Sequence, residues 1–226
     1  MTDAHTPPLW RRLLLTGAAG EIGGVLRPAL RGVAERLRLH DLRPLAPEAP
    51  EEEAVQGDLA EPGVALEATR DVDCVVHLAG VPRETGGTPE QILRATVLGC
   101  HALFEAARAN GARRLVVASS NHVIGFYRSD RPVGTEEPAR PSGHYGVSKV
   151  FGEAMSRLYA DKFGMEVACL RHCQVGCLWP ERSGWAKLVG CRQTSPPTLG
   201  TASRLRSSAT RCGSITCSAS ACETWS

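Results

Sequence analysis

The stretch RRLLLTGAAGEIGGVL, residues 11–26, decides how the rest of the chain is read. Leu13 to Thr16 read as a short apolar strand. Gly17, Gly20 and Gly23 then recur every third residue and lead into a helix. Glycines at that spacing permit a tight turn and let backbone approach a pyrophosphate, whose charge meets the N-terminus of the following helix. Such a run alone also describes an ordinary β–α turn, so the residues downstream must decide between the two.

They favour a dinucleotide. RLRLHD reads as a second strand ending in Asp41, about twenty positions past the turn, where a carboxylate can take both ribose hydroxyls of an adenosine. A carboxylate there repels a 2′-phosphate, which selects NAD over NADP. EEEAVQGDLAEP gives a third short strand ending at Asp58, with Asp58 and Leu59 placed to flank an adenine. DCVVHLAG, within 71–80, is the near-continuous apolar run expected of a strand buried on both faces. PEQILRATVLGCHALFEAARANG has helical period with Gly111 as its stop, ARRLVVASS is a buried strand ending at Ser119 and Ser120, and SGHYGVSKVFGEAMSRLYADKFG is a helix ending at Gly164. MEVACLR starts a sixth strand. Alternating strands and helices predict an α/β fold, a Rossmann-like doubly wound parallel sheet.

Chemistry belongs at the strand ends of such a sheet. Tyr145 and Lys149 are four apart on one helix and share a face. An ammonium beside a phenol favours the phenolate, which predicts a Tyr145 pKa lowered towards neutrality and a usable base. Ser120, ending the preceding strand, is placed to hold a substrate hydroxyl against it.

TGAAGEIG, GDL, HLAG, ASSNHVIG and YGVSK follow one another between residues 12 and 171, and in that order they resemble the extended short-chain dehydrogenase/reductase family, the NAD-dependent epimerase/dehydratase superfamily. SSNHVIGFY, RPSGHYGVSK and LYADKFG look most like its uronate-oxidising subgroup. The resemblance implies oxidation of galacturonate or glucuronate at C1 to an aldarolactone, with NAD as cofactor. It makes Tyr145 the base and Lys149 its tuner and a ribose ligand. Ser120, Asn121 and His122 would line the sugar acid. Gly17, Gly20, Glu21, Ile22 and Gly23 would meet the pyrophosphate, and Asp41, Asp58, Leu59, Leu78, Ala79 and Gly80 the adenosine half and central cofactor. Two positions depart from the family: Pro82 stands where a serine is common, and Thr96 where many relatives carry asparagine. An inactive NAD-binding fragment and a sugar-nucleotide epimerase or dehydratase are the competing functions.

The likeness stops after Arg171. Residues 1–171 hold 20 basic and 22 acidic residues; residues 172–226 hold 6 and 2, with six of the nine cysteines and three of the four tryptophans. The family's Ile-Gly-Ser-Cys segment, its carboxylate-clamping arginine and its C-terminal substrate-binding portion are not recognisable here. The expected organisation is therefore an NAD-binding Rossmann domain over 1–171, truncated, followed by a non-homologous tail over 172–226, irregular or disordered and read as out-of-frame translation. Codons for Ser183-Gly184-Trp185 can be chosen so that another frame gives Arg-Met, as the family has there. A sheet cut at that point is expected to leave its sixth strand as an exposed edge.

Cys169, His172, Cys173 and Cys177 lack the paired spacing of a zinc site, and Cys169 falls in a buried strand, so no metal is expected. The net charge of +2 gives no argument for nucleic acid or an acidic membrane. No apolar run reaches the ~20 residues that span a bilayer, and no secretory leader pattern opens the sequence. A cytoplasmic protein acting on a small sugar acid is the expectation, with a homo-oligomeric state left open.

Overall fold

The computed structural model describes residues 8–61, 63–128, 130 and 133–172, together with the backbone of 213–216. Within them a parallel sheet is built from β1 (Trp10–Thr16), β2 (Ala34–Asp41), β3 (Glu52–Gln56), β4 (Cys74–His77), β5 (Arg114–Ser120), β6 (Glu166–His172) and β7 (Gly213–Thr216). Its strand order is β3-β2-β1-β4-β5-β6-β7. Order reverses between β1 and β4, and a crevice opens there at the carboxyl ends of the strands, where ligands of open α/β sheets bind.

The connecting helices are α1 (Glu21–Leu30), α2 (Val64–Ala68), α3 (Pro89–Ile92), α4 (Gly99–Ala109) and α5 (Gly143–Phe163). Between α3 and α4 the chain winds as a π-helical segment, Leu93–Leu98, so the single helix read from PEQILRATVLGCHALFEAARANG is locally underwound. Helix α2 lies in a stretch that carried no helical expectation. Strand β1 is longer at its N-terminus than Leu13–Thr16. Strand β3 ends at Gln56, two residues short of Asp58, because Gly57 takes a φ of 156° and turns the chain out of the sheet.

The alternation within strands sorts two cores. Leu13, Leu15, Leu37, Leu39 and Cys74 face one side and pack with Leu30 of α1. Leu14, Val75, Leu115, Val117 and Val167 face the other and pack with Leu103 and Phe104 of α4 and Tyr159 of α5. Both faces are covered, which is why these strands read as continuous apolar runs. Each fully buried leucine contributes about 2 kcal/mol of transfer free energy. The crossover from α1 to β3 is fixed differently. The guanidinium of Arg27 lies against the buried carboxylate of Glu52, with Arg31 on the same carboxylate at 3.1 Å. These cations hold Glu52 down at about 2.

The expectation of an exposed edge at β6 is corrected over four residues: Ala168–Arg171 pair in parallel with Gly213–Thr216. An unpaired strand edge is a template for any chain within reach. β6 also runs one residue past Arg171, to His172. The rest of the stretch read as an out-of-frame tail, including Cys173, Cys177 and 183–185, lies outside the described residues. Cys169 is turned into the core, where its thiol donates to Ser156 Oγ at 3.0 Å. No helix among the described residues is long and apolar enough to cross a membrane.

Candidate active site

The turn between β1 and α1 is shaped by close approach. Gly17 has a φ of 71°, and a Cβ there would lie 2.8 Å from the backbone nitrogen of Ala79 at the end of β4. A Cβ on Gly23 would lie 2.2 Å from Gly17 O. Neither position admits a side chain, so the turn is pressed against both its own helix and the neighbouring strand. Gly20 caps α1 in an extended conformation, and Glu21 and Ile22 form its first turn. The result is a cradle of backbone at a helix N-terminus, which fits a pyrophosphate. Glu21 Oε1 also faces Arg83 at 3.6 Å across the crevice.

Asp41 stands beside this turn. Its Oδ2 accepts the Ala19 N–H at 2.9 Å, and its Oδ1 accepts the Arg43 N–H at 3.0 Å. The Arg43 guanidinium donates in turn to Ala19 O. The carboxylate thus braces the glycine turn from the end of β2. Asp58 accepts from Ala60 N at 2.9 Å and from Arg94 Nε at 2.8 Å. Leu59 is 4% exposed and packs into the core, so what it offers a ligand is backbone. Leu78, Ala79 and Gly80 continue β4 into the crevice. Gly80 lies against Thr96, whose hydroxyl accepts the Val81 N–H at 3.4 Å.

A contact not foreseen from the sequence fastens the two strands at the switch point. Thr16 Oγ1 and His77 Nδ1 are 2.8 Å apart, and Ala79 N donates to the same hydroxyl at 3.3 Å. Burial, reinforced by Lys149 and His40, pushes the His77 pKa down to about 3, so this imidazole is neutral. Beyond it lies a cavity of about 10 Å³ lined by His77, Thr96, Cys100, Ser119, Ser148 and Lys149. That is room for about one water.

The second half of the site is carried by β5 and α5. Ser120 ends β5 at 3% exposure and starts the 3-10 turn Asn121–Ile124. Its hydroxyl donates to Asn121 Oδ1 at 3.2 Å, accepts from His122 N at 3.3 Å and stands beside the Tyr145 phenol, whose ionised form it favours. The His122 ring stands edge-on to Tyr145, centroids 5.3 Å apart, while its Nδ1 meets Ser142 Oγ at 3.1 Å. Tyr145 is 3% exposed and Lys149 9%. Ser120, Asn121, His122, Tyr145 and Lys149 therefore gather at one end of the sheet. Gly17, Asp41 and Ala79 stand along the neighbouring strand ends.

The electrostatics differ from the expectation for the Tyr-Lys pair. Lys149 Nζ donates to Ala118 O at 3.0 Å and lies 5.5 Å from the Tyr145 ring centre. Its ammonium is not on the phenol, and burial lowers its own pKa. Burial raises the Tyr145 pKa, and the neighbouring Ser120 hydroxyl pulls it back only in part. The phenol therefore sits above its ordinary value, because desolvation outweighs what Ser120 gives its ionised form.

Two further features escaped the sequence. Glu84 accepts the backbone N–H groups of His144 and Tyr145 at 3.0 and 2.8 Å. Glu153, one turn beyond Lys149, accepts Ser119 Oγ at 2.5 Å and forms a bidentate pair with Arg171 at 2.7 Å. Neither spacing, 61 residues in one case and 34 and 18 in the other, belongs to any local pattern.

Comparison with known proteins gives the chain's family. Residues 13–177 match the NAD dependent epimerase/dehydratase family. A uronate dehydrogenase of Agrobacterium fabrum is 48% identical over 178 residues, covering 79% of this chain and 65% of that protein. One from Pseudomonas putida is 43% identical over 173 residues, covering 76% and 63%. The crystal structure of a mutant uronate dehydrogenase from Agrobacterium tumefaciens complexed with NAD matches with a TM-score of 0.69 and 49% identity, over 72% of this chain and 60% of that one. The chain spans just under two thirds of the length of these curated relatives. On the strength of the family match and the identity to these relatives, the chain belongs to the NAD dependent epimerase/dehydratase family.

Proposed function

We propose that this chain carries the NAD-binding and proton-abstracting parts of a uronate dehydrogenase, which oxidises galacturonate or glucuronate at C1 to an aldarolactone. The observation that carries this reading is the convergence of Ser120, Asn121 and His122 on Tyr145, beside a glycine cradle that any Cβ would fill. When bound, NAD supplies the acceptor for the hydride leaving C1. Gly17, Gly20 and Gly23 would admit its pyrophosphate, with Glu21 and Ile22 at the helix start. Asp41 would take the adenosine ribose, Asp58 and Leu59 would border the adenine, and Leu78, Ala79 and Gly80 would line the centre.

The chain's own residues then do three things. Ser120 holds the C1 hydroxyl and the Tyr145 oxygen in one hydrogen-bonded unit. Tyr145, once ionised, accepts the hydroxyl proton at its phenolic oxygen. Lys149 provides a buried positive field near that oxygen while staying anchored on Ala118 O. Because burial raises the Tyr145 pKa, the base form grows as pH rises, and turnover should rise on the alkaline side of neutrality.

The same reading assigns the nucleotide-binding unit to residues 1–171, a sugar acid as partner and the cytoplasm as location. The test follows NADH formation with each uronate and, separately, NAD binding by calorimetry. NADH from either uronate supports the reading. A second reading, an NAD-binding chain without turnover, is favoured by one observation. Among the described residues the sugar side consists of Ser120, Asn121 and His122, with no clamp assembled for the sugar carboxylate. Retained NAD binding with no NADH would select it.

A further inference from the structure

Helix α5 carries Tyr145 in its first turn, yet its N-cap is occupied in an unusual way. Ser142 stands at the N-cap and makes no capping bond to the helix. Its hydroxyl is turned to His122 Nδ1 instead, at 3.1 Å. A local serine cap is the ordinary solution for the free N–H groups of a first turn. Here a carboxylate from 61 positions upstream takes the role. Glu84 Oε1 accepts from His144 N at 3.0 Å and lies 3.4 Å from His144 Nδ1, while Oε2 accepts from Tyr145 N at 2.8 Å.

The surrounding chain is shaped for this contact. Gly143 has a φ of 88°, and a Cβ there would stand 2.4 Å from Glu84 Oε2. The carboxylate is seated where only glycine leaves room, at the positive end of a 21-residue helix. Glu84 also belongs to the loop that leaves β4 through Leu78–Gly80, the segment on which Gly17 rests. One side chain therefore joins the wall of the glycine cradle to the backbone of Tyr145.

We infer that Glu84 is the positioning residue of the candidate base: its carboxylate fixes the first turn of α5 so that the Tyr145 phenol meets Ser120. This rests on the reading of Tyr145 as the base. Glu84 itself touches neither the phenol nor the hydroxyl of Ser120, so its effect passes through backbone. Losing it should let Tyr145 drift from Ser120, and small misplacements of a reacting group are costly.

The full chain is compared with its Glu84→Ala and Glu84→Gln variants in two measurements. The first is NADH formation from galacturonate and glucuronate. Glu84→Ala should lower kcat roughly 10- to 100-fold while KM for NAD stays within about twofold, and Glu84→Gln, which keeps an acceptor for one N–H, should recover part of the loss. The second needs no substrate. Ultraviolet difference titration, with Tyr145→Phe subtracted to isolate its signal, reads the Tyr145 phenol directly. The Ser120 hydroxyl beside the phenol lowers that pKa, so Glu84→Ala should raise it and Glu84→Gln should raise it less. An unchanged kcat in Glu84→Ala, or an unchanged phenol titration, overturns the proposal. If the parent chain forms no NADH, the functional reading fails, and the titration alone decides the role of Glu84.

Discussion

The two halves of the crevice are held together by different means. The side carrying the glycine turn, from β1 through α1 to β2, is built from backbone. Its fit depends on absent side chains at Gly17 and Gly23 and on one carboxylate 22 residues from the amide it braces. The side around Tyr145 is built from side chains reaching across the fold. Lys149 reaches Ala118, Glu153 reaches Ser119 and Glu84 reaches Tyr145, over 31, 34 and 61 residues. The first half is set by the β1–α1–β2 unit and its contact with the end of β4; the second exists only once β4, β5 and α5 have docked. Substitutions should therefore separate binding from chemistry cleanly.

The largest separation is expected from Tyr145→Phe. Removing the phenolic oxygen deletes the proton acceptor and should lower kcat about 10³-fold, while the calorimetric affinity for NAD changes by less than about twofold. A loss of NAD binding of similar size would mean that the two halves are not independent. Next comes Glu52→Ala, which leaves the guanidinium of Arg27 buried without its main partner at the crossover into β3. Breaking such a pair should cost about 3 kcal/mol in denaturant unfolding. Glu52 ionises at about 2, below its unfolded value, so its contribution is complete at neutral pH. That contribution disappears only as pH falls through the acid range towards 2. Unfolding curves of parent and variant should therefore converge at low pH.

How much of this was legible before the fold was known follows from the same contrast. The glycine spacing, Asp41 and the strand-ending Ser120 could be read because each lies in a short window whose geometry is set by β–α periodicity. Tyr145 and Lys149 could be read as a pair because four residues on a helix share a face. The direction of the Tyr145 pKa could not, since it depends on burial and on Ala118 O capturing the ammonium, neither of which is a matter of spacing. Glu84, Glu153 and the Thr16–His77 contact were invisible for a related reason: their partners lie 18 to 61 residues away, on other elements, outside any local pattern. The inward turn of Leu59 was likewise not a matter of spacing: Gly57 ends β3 at Gln56, and the Leu59 side chain packs into the core, leaving its backbone to face a ligand.

A smaller effect bears on the cradle itself. Gly17→Ala forces a Cβ onto a backbone of φ 71° and to 2.8 Å from Ala79 N. A left-handed conformation alone costs a non-glycine residue about 1–2 kcal/mol. The loop from Leu78 to Gly80 must also retreat, so NAD affinity should fall by at least the same margin. kcat at saturating NAD should change little, the reverse of Tyr145→Phe.

The finest test of the comparison is Asp41→Asn. The amide is nearly isosteric and can still accept the Ala19 N–H through its oxygen, so the turn should keep its shape and the fold its stability. What it loses is the negative charge and one acceptor, since its NH₂ would face the N–H of Arg43. Hydrogen bonds to a charged group contribute about 1.5–3 kcal/mol, against roughly 1 for neutral ones, so NAD affinity should drop about tenfold. The Arg43 guanidinium, 3.5 Å from Asp41 in the parent, would then stand uncompensated beside the ribose position. Affinity for NADP should therefore rise relative to NAD in the variant, and competition calorimetry reads that ratio directly. An unchanged ratio would mean that Asp41 acts only as a brace for the turn, and that cofactor choice on this side rests with backbone alone.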